Sequence, residues 1–306
     1  MKRNIYLKTI PPAEAVARVK ASIDREALIR EETIPSHEAS GRVLAHAVHA
    51  RYSSPTFHSA AMDGYAVNAR STFAAREGHP LTLKAGETCF AVNTGHPMPE
   101  GCDAVIMIEQ VMLDGGSVTI EAPAFPWQHV RRIGEDIVAT ELLFPRNHQL
   151  RPWDVGALLS GGIWDVPVWE RVTVRIIPTG DEVLDFTTHP DPGKGQVVES
   201  NSQMLAALAR ELGCVVERAA PVPDNPEALH QALKDSLDAG RHLTIFCAGS
   251  SAGSKDFTRA TLEKEGEILT HGIAAMPGKP SLLANCRGRL VAGAPGYPVS
   301  ALVCFK

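Results

Sequence analysis

The amino-acid sequence predicts a multidomain fold in which a three-layer α/β domain follows a helical N-terminal part and a β-rich domain. Strands and helices alternate from residue 172 onward, whereas short apolar runs separated by turns fill residues 45–140. The chain has 306 residues, and one hydrophobic core rarely serves more than about 250 to 300 residues. We therefore expect more than one domain.

The C-terminal half carries the alternating pattern. Three runs have the apolar and β-branched composition of strands: 172–177, 214–220 and 243–249. Between the first two, Asn201 or Ser202 can cap a helix that stops at Gly213. A second helix is expected over 226–240, where a proline suits the first turn. This alternation predicts a largely parallel sheet with helices on both faces, whose binding residues lie in loops at the carboxyl ends of the strands.

The N-terminal half has a different texture. Apolar residues at helical spacing predict one amphipathic helix over residues 11–30. Residues 45–140 hold short apolar runs and turn signals such as Asp114-Gly115-Gly116. A short helix is predicted over 152–163, ended at Gly161-Gly162. A β-rich segment between two helical segments is therefore expected.

The composition excludes several classes of protein. A net charge of −5 and an isoelectric point near 6.2 argue against a nucleic-acid-binding surface. No apolar run approaches the roughly 20 residues of a membrane helix, and residues 1–5 do not begin a secretory signal. We expect a soluble, cytoplasmic protein with neither nucleic-acid nor membrane partners. The six cysteines show neither zinc-ligand spacing nor a disulfide framework.

Four loops of the α/β domain combine small residues with acids or a lysine. They follow predicted strands and span residues 178–182, 221–225, 248–256 and 294–300. Glycine and serine allow backbone N–H groups to point at an anion. Because carboxylates repel phosphate, the acids in these loops imply a divalent cation between the two. The sequence therefore predicts a phosphate-binding edge that uses Mg²⁺.

Each of these features also has a purely structural interpretation. Asp224 fits a helix-entry residue, Glu182 a solvated turn residue and Lys279 an exposed turn lysine. The segments that fit surface turns or flexible connections are 94–101, 131–136 and 249–253. The sequence contains no HExxH pair and no GxSxG elbow, so neither a zinc protease nor a serine hydrolase is indicated.

Taken in order, these segments resemble the motifs of the molybdopterin molybdenumtransferase family, which includes bacterial MoeA and the E domain of gephyrin. Residues 59–66 (SAAMDGYA) resemble the family's SAMDGYA with one additional alanine, and residues 179–182 (TGDE) resemble its TGDEL. Further segments with the family's wording are 94–105, 132–137, 201–202, 222–224, 249–256, 277–280 and 295–300. The resemblance is specific because the segments follow the family's order along nearly the whole chain.

The resemblance implies a domain arrangement. Residues 1–48 and 141–170 would form an elongated helical dimerisation domain, residues 49–140 an inserted β-rich domain, and residues 171–306 a three-layer α/β/α molybdopterin-binding-like domain. The family's C-terminal β-barrel domain is not among them. Because the apolar segment 298–306 has the character of the first turns of a helix, we expect a shortened chain.

The resemblance also implies an activity in molybdenum cofactor biosynthesis. Molybdate or tungstate would be inserted into the dithiolene of an adenylylated molybdopterin, with release of AMP and assistance from Mg²⁺. The implied catalytic residues are Asp63, Asp136, Glu182, Asp224, Asp256 and Lys279. The implied metal ligands are Glu182, Asp224 and Asp256. The implied substrate-binding residues are Thr94, Asn201, Ser202, Gly249, Ser250, Ser251, Gly253, Pro295, Pro298 and Ser300.

A homodimer is implied as well, in which Asp63 and Asp136 act across the subunit boundary. Molybdopterin adenylyltransferase is the implied upstream enzyme. The sequence departs from the family's pattern at three places: Met276 stands where lysine is frequent, Tyr297 replaces an asparagine, and residues 92–93 replace a pair that usually contains arginine. Met276 means one cation fewer, which should weaken oxyanion binding, and Tyr297 offers a phenol in place of an amide donor and acceptor.

Two other functions stay open at this stage. The α/β domain alone resembles the molybdopterin adenylyltransferase fold, which forms the adenylate rather than consuming it, but that enzyme lacks the N-terminal helix and the β-rich domain. The second alternative is a non-catalytic dimeric scaffold of the same fold. Retention of Glu182, Asp224 and Asp256 favours an enzyme over a scaffold.

Overall fold

The computed structural model describes residues 8–247 and 257–306, and the chain divides into two compact units. Unit 1 takes in the chain up to Glu32 and again from Trp169 onward, and unit 2 comprises Thr33–Val168. Unit 2 is thus inserted in sequence between two parts of unit 1. The finer division after residues 48, 140 and 170 stays a prediction.

The described residues form α-helices and strands in the following order. The helices are α1 (Pro12–Ser22), α2 (Arg25–Leu28), α3 (Pro152–Ser160), α4 (Asn201–Glu211), α5 (Pro226–Asp238), α6 (Phe257–Glu265) and α7 (Pro298–Phe305). The first strands are β1 (Glu31–Pro35), β2 (Val48–His49), β3 (Ser59–Ala60), β4 (Gly64–Val67), β5 (Leu81–Lys84), β6 (Cys89–Val92), β7 (Ala104–Met107), β8 (Met112–Asp114), β9 (Ser117–Ile120), β10 (Val130–Arg131) and β11 (Leu142–Phe144). The later strands are β12 (Asp165–Trp169), β13 (Thr173–Pro178), β14 (Val183–Leu184), β15 (Val197–Val198), β16 (Val215–Arg218), β17 (Leu243–Cys247), β18 (Gly266–His271), β19 (Leu282–Cys286) and β20 (Arg289–Ala294).

Unit 1 is built on a six-stranded sheet with the order β16-β13-β17-β20-β19-β18. The first four strands run parallel to one another. By contrast, β19 runs antiparallel to β20, and β18 runs antiparallel to β19. The predicted largely parallel sheet is confirmed for four strands, and the antiparallel β18–β19 pair is an addition to the predicted sheet.

Helices cover both faces of this sheet, because successive strand residues point to opposite faces and both sets are apolar. Ile176 of β13 lies in a buried cluster with Leu205 of α4, which α7 also joins. The next residue, Ile177, lies in a second cluster with Leu233 of α5 and Leu262 of α6. The three-layer α/β/α arrangement is therefore confirmed.

The helix predicted over residues 11–30 is wrong in extent. α1 ends at Ser22, and the short α2 begins after Asp24. The side chain of Asp24 accepts hydrogen bonds from the backbone N–H groups of Glu26 and Ala27, each over 3.1 Å. This capping acid starts a second helix and so breaks the first.

α1 packs against β18 and β19 of the same unit. Nη1 of Arg18 donates to the carbonyl of Leu269 over 2.8 Å, and Nδ2 of Asn285 donates to the carbonyl of Ser22 over 2.7 Å. The first helix of the chain is therefore attached to the two antiparallel strands of the α/β sheet.

Unit 2 is rich in strands, as predicted for residues 45–140. Two three-stranded antiparallel sheets have the orders β6-β4-β7 and β5-β9-β8, and the pairs β3–β10 and β2–β11 form small ribbons. One apolar cluster joins both three-stranded sheets through Val67, Leu83 and Ile120. A separate cluster contains Leu44 and Leu158, the latter from α3.

Two other expectations concern membrane helices and thiols. Among the described residues, no helix is long and apolar enough to cross a membrane.

All six cysteines are described and are free thiols, and Cys89, Cys247 and Cys286 are buried. The scattered cysteine spacing therefore corresponds to separate thiols rather than to disulfides.

Candidate functional site

The predicted loops of unit 1 meet at one edge of its sheet. Because β13, β16 and β20 run parallel, the loops that follow them leave the sheet at its carboxyl edge. β19 runs antiparallel to β20 with Leu282 opposite Gly293, so the connection from β18 to β19 lies at the same edge. The predicted residues carried by this edge are Glu182, Asp224, Lys279 and Ser300.

The loop after β13 is fixed at its base. The backbone N–H and the hydroxyl of Thr179 donate to the carbonyl of Cys247 over 3.0 and 3.1 Å, and the N–H of Gly180 donates to the carbonyl of Val222 over 3.1 Å. Gly180 has φ +132°, and a Cβ atom there would lie 2.9 Å from Oε2 of Glu182. A side chain at residue 180 would therefore crowd the exposed carboxylate of Glu182, and glycine leaves that space free.

Asp224 is tied to this loop through Asp181. The backbone N–H of Asp224 donates to Oδ1 of Asp181 over 3.0 Å. The side chain of Asn225 caps α5, since it accepts from the N–H groups of Glu227 and Ala228 over 2.9 and 3.0 Å. Asn225 rather than the half-buried Asp224 therefore takes the role of helix-entry residue. Asp181, which adjoins Glu182, is a further residue of this edge and was not among the predicted site residues.

Asn201 and Ser202, at the start of α4, have different surroundings. Nδ2 of Asn201 donates to the carbonyl of Gly296 over 2.7 Å and so fixes the loop after β20. Ser202 is fully buried, and its N–H and hydroxyl donate to the two carboxylate oxygens of Glu199 over 2.7 and 2.6 Å. The backbone N–H and the hydroxyl of Ser202 are therefore engaged inside the unit, and its role in substrate binding stays a prediction.

The loop after β20 leads directly into α7. Pro295 is buried, whereas Tyr297 is 82% exposed and precedes Pro298, the first residue of the helix. Val299 and Ser300 belong to the first turn of the helix. Their backbone N–H groups have no carbonyl acceptors within the helix. This end of α7 is therefore a positive dipole end at the carboxyl edge of the sheet.

The turn that carries Lys279 packs on α7. A Cβ atom added to Gly278 would lie 3.4 Å from Cγ1 of Val303, and the backbone N–H of Ile273 donates to the carbonyl of Lys279 over 2.9 Å. Lys279 is exposed, and so is Met276, at 93%. The turn thus presents one cation next to the helix that begins after β20.

The fourth predicted loop, after β17, lies outside the described residues. The residues concerned are Gly249, Ser250, Ser251, Gly253 and Asp256. Within residues 8–247 and 257–306, no group of three or more His, Cys, Asp or Glu side chains is placed to hold a metal ion. Two of the three implied metal ligands, Glu182 and Asp224, belong to the described part.

In unit 2, Thr94 holds the carboxylate of Asp63. The backbone N–H of Thr94 donates to Oδ1 of Asp63 over 2.7 Å, and its hydroxyl donates to the same oxygen over 3.0 Å. These two hydrogen bonds, the backbone one most strongly, lower the pKa of Asp63 below its ordinary value of 3.8, and His96 adds to the effect. The exposed carboxylate of Asp63 is therefore an oriented anion at neutral pH.

The glycine after Asp63 is required by close packing of the backbone. Gly64 begins β4, and a Cβ atom at this position would collide with the carbonyl oxygen of Ile106 on β7. The carbonyl of Asp63 accepts from the N–H of Ile108 over 3.0 Å. The Asp-Gly pair thus lets the chain approach its neighbour closely while the acid side chain turns outward.

Asp136 lies on a separate exposed turn of unit 2. Its backbone N–H donates to the carbonyl of Ser54 over 3.0 Å, and the N–H of Arg132 donates to Oε2 of Glu135 over 3.0 Å. The turn is well ordered by these bonds, yet the carboxylate of Asp136 points to the surface. The structure therefore gives Thr94 as a direct contact of Asp63, and it shows Asp136 on an exposed turn that is bonded to Ser54.

Comparison with known families accounts for most of the chain. Residues 10–162 match the family described as "MoeA N-terminal region (domain I and II)". Residues 175–306 match the family described as "Probable molybdopterin binding domain". The two matches correspond to the strand-rich N-terminal half and to the α/β half.

Individual relatives agree with this result. The chain is 34% identical over 294 residues to a molybdopterin molybdenumtransferase of Haemophilus influenzae, covering 90% of this chain and 70% of that protein. It is 34% identical over 303 residues to molybdopterin molybdenumtransferase 2 of Mycobacterium tuberculosis, covering 90% and 73%. A crystal structure of the molybdopterin biosynthesis MoeA protein from Pyrococcus horikoshii superposes with a TM-score of 0.82 at 29% identity, covering 97% of this chain and 77% of that one. Together with the motif order, these similarities show that the chain belongs to the molybdopterin molybdenumtransferase family.

Proposed function

We propose that this chain inserts molybdate into the dithiolene of an adenylylated molybdopterin and releases AMP, with Mg²⁺ as cofactor. Family membership makes the chain a transferase of molybdenum cofactor biosynthesis. The observation that supports the finer proposal is the meeting of acids, a lysine and a helix N-terminus at one sheet edge. The residues concerned are Glu182, Asp224, Lys279 and Ser300.

The described acids suit Mg²⁺. In proteins this ion binds one or two carboxylates together with water and substrate phosphate oxygens. Glu182 and Asp224 supply carboxylates from two loops that Asp181 joins through its 3.0 Å hydrogen bond. They would hold the ion, with Asp256 as a further ligand from outside the described residues. When bound, Mg²⁺ neutralises charge on the phosphoric anhydride link during its cleavage.

The remaining residues of the edge bind and orient anions. Lys279 offers an exposed ammonium group, and the first turn of α7 offers backbone N–H groups and the hydroxyl of Ser300. We assign phosphate or oxyanion binding to these groups. Asn201 orients the loop after β20 through Gly296, and Pro298 restricts the entry of the helix.

For unit 2 we propose a role across the boundary of a homodimer. Asp63 is exposed, ionised and fixed by Thr94. Such an oriented surface carboxylate is suited to complete a cleft on another subunit. Asp136 is assigned to the same boundary.

The proposal is tested with the full-length protein, adenylylated molybdopterin, Mg²⁺ and molybdate. We expect release of AMP, which Glu182→Ala or Asp224→Ala abolishes. Glu211→Ala, at an exposed acid near the end of α4, is the matched control and leaves the rate unchanged. If the intact protein leaves the adenylate uncleaved with both molybdate and tungstate, the proposed reaction is wrong.

The same preparation separates the two alternatives. An adenylyltransferase would release pyrophosphate when given ATP and molybdopterin, whereas the proposed reaction consumes the adenylate that such an upstream enzyme provides. A scaffold would bind without releasing either product. Sedimentation of the full-length protein tests the proposed homodimer.

We also propose a cytoplasmic location, with which the small-molecule substrates are consistent.

A further inference from the structure

Two acids and an arginine that the proposed reaction does not use form a cluster next to the strands β14 and β15. They are Asp185, Glu199 and Arg218. β14 and β15 form a two-stranded parallel ribbon, the β14–β15 ribbon, in which Leu184 lies opposite Val198. The residue that follows each strand is an acid, Asp185 after β14 and Glu199 after β15. The guanidinium of Arg218, at the end of β16, lies between them.

Arg218 binds both acids and the start of α4. Its Nη2 lies 3.1 Å from Oδ1 of Asp185 and 3.4 Å from Oε2 of Glu199, and its Nη1 lies 3.4 Å from Oδ2 of Asp185. Its Nε donates to the hydroxyl of Ser202 over 3.0 Å. The Arg218 side chain is 15% exposed, and its Cζ lies 4.7 Å from the ring centre of Phe186. One cation thus joins β14, β15, β16 and α4.

The arrangement depends on the charge of Arg218. The side chain of Glu199 is only 3% exposed, and Asp185 follows the paired strand at the equivalent position. Without a cation, two carboxylates would face each other in a partly buried space, and a buried charge that loses its partner is strongly unfavourable. Asp185 and Glu199 would then separate, and the strands that carry them would separate with them.

The ribbon begins at the predicted metal ligand. The backbone N–H of Val197 donates to the carbonyl of Glu182 over 2.9 Å, and the N–H of Glu199 donates to the carbonyl of Leu184 over 2.9 Å. On the other side, the N–H of Val183 donates to the carbonyl of Gly180 over 3.3 Å. The backbone of Glu182 is therefore held by the same ribbon whose far end Arg218 ties down.

We propose that Arg218 is a positioning residue for Glu182. It fixes both strands of the β14–β15 ribbon to β16 and α4, and the ribbon fixes the backbone from which the Glu182 carboxylate projects. The role in the reaction rests on the proposed function. The anchoring of the ribbon does not, because it is a property of the protein without substrate.

Hydrogen exchange in the full chain tests the anchoring. In Arg218→Met, which keeps the length of the side chain and removes its charge, we expect the amides of Val197 and Glu199 to exchange about tenfold faster or more through local opening. The amides of Ile245 and Phe246 in β17 should be unchanged. The control Arg241→Met removes a guanidinium that lies 2.7 Å from Glu217 and should leave the ribbon amides at the wild-type rate.

Two results would overturn the anchoring. One is unchanged exchange at Val197 and Glu199 in Arg218→Met, and the other is an equal increase in Arg241→Met. If Arg218→Met loses protection in β17 as well, Arg218→Lys decides the question. Lysine keeps the charge without the bidentate fork. Ribbon exchange slower in Arg218→Lys than in Arg218→Met supports the proposal, and ribbon exchange as fast as in Arg218→Met overturns it.

AMP release then tests the positioning of Glu182. Arg218→Met should lower kcat about tenfold or more, because misplaced catalytic groups cost rate, while KM for the adenylate stays within about threefold. Arg218→Lys should restore part of kcat. Wild-type kcat in an Arg218→Met protein with a loosened ribbon overturns the positioning role. A wild-type protein that releases no AMP overturns the proposed function instead, and the exchange result still judges the anchoring.

Discussion

Thr94 donates two hydrogen bonds, one from its backbone and one from its hydroxyl, to a single carboxylate oxygen of Asp63. Asp63 and Thr94 are 31 residues apart in sequence. Because every residue except proline keeps the backbone N–H, the two contributions can be separated by substitution. The pKa of Asp63 therefore reports on the hydrogen bonds that Thr94 donates to it.

Thr94→Val should raise the pKa of Asp63 part of the way towards its ordinary value. The hydroxyl bond is lost, but the backbone N–H, which has the larger effect, still lowers the pKa. An NMR titration of the Asp63 carboxyl group measures the change. Thr82→Val, which removes an exposed hydroxyl from β5, is the control and should leave Asp63 unaffected. An unchanged Asp63 titration in Thr94→Val would contradict the hydroxyl contact.

Gly64→Ala should destabilise unit 2 by about 2 kcal/mol or more, because its Cβ atom would collide with the backbone carbonyl of Ile106. Gly156→Ala is the matched control. Gly156 lies exposed within α3 with open space around it, so alanine there should stabilise by about 0.5 to 1 kcal/mol. Denaturant midpoints of the two variants should shift in opposite directions. A shift of the same sign and size in both would refute the packing argument.

Gly180→Ala should reduce AMP release about tenfold or more by displacing the carboxylate of Glu182. The new Cβ atom would lie 2.9 Å from Oε2 of Glu182 and 2.9 Å from Cγ2 of Val183. Gly195→Ala controls for backbone strain, since Gly195 also has a positive φ but open space around it. Rate measurements on both variants check the expectation, and equal losses would mean that strain alone is responsible.

Asp154→Asn should change the acid stability of unit 2. Burial alone would raise the pKa of Asp154, but hydrogen bonds from the backbone N–H of Arg151 and from the His148 ring, over 2.9 and 2.7 Å, together lower it below 3.8. A carboxylate with a lowered pKa stabilises the folded state above its ordinary pKa and loses this contribution as the pH falls through the lowered value.

The wild type should therefore exceed Asp154→Asn in stability by about 1 to 3 kcal/mol at pH 7. The difference should shrink as the pH falls below about 4. Urea midpoints at pH 7, 5 and 3, followed by amide signals of unit 2, measure it. A difference that grows towards pH 3 would contradict the sign of the pKa shift.

Local signals account for what the sequence predicted of the fold. The start of α5 at Asn225-Pro226 and the end of α4 before Gly213 are each encoded by neighbouring residues. The order of strands and helices in the α/β unit follows from such signals. Once the parallel order is known, the shared edge of the loops follows as well. The loops that carry Glu182 and Asp224 are therefore expected at one edge, whereas the role of these acids as metal ligands is what the resemblance to the family implies.

Contacts between distant residues were not predictable in the same way. The hydrogen bond from Asp224 to Asp181 spans 43 residues, and the pairing of Arg218 with Asp185 spans 33. Neither pair has a spacing that a periodic pattern reveals. The antiparallel direction of β19, which brings Lys279 to the site edge, likewise depends on pairing with β20 and not on its own composition.

The attachment of α1 to β18 and β19 has a consequence for the order in which the protein forms during synthesis. The hydrogen bond from Arg18 to Leu269 spans 251 residues, so the first helix has to wait until almost the entire α/β unit has left the ribosome. Unit 2, which is continuous in sequence, can fold during that interval. The N-terminal helix, although made first, is therefore among the last elements to reach its final position.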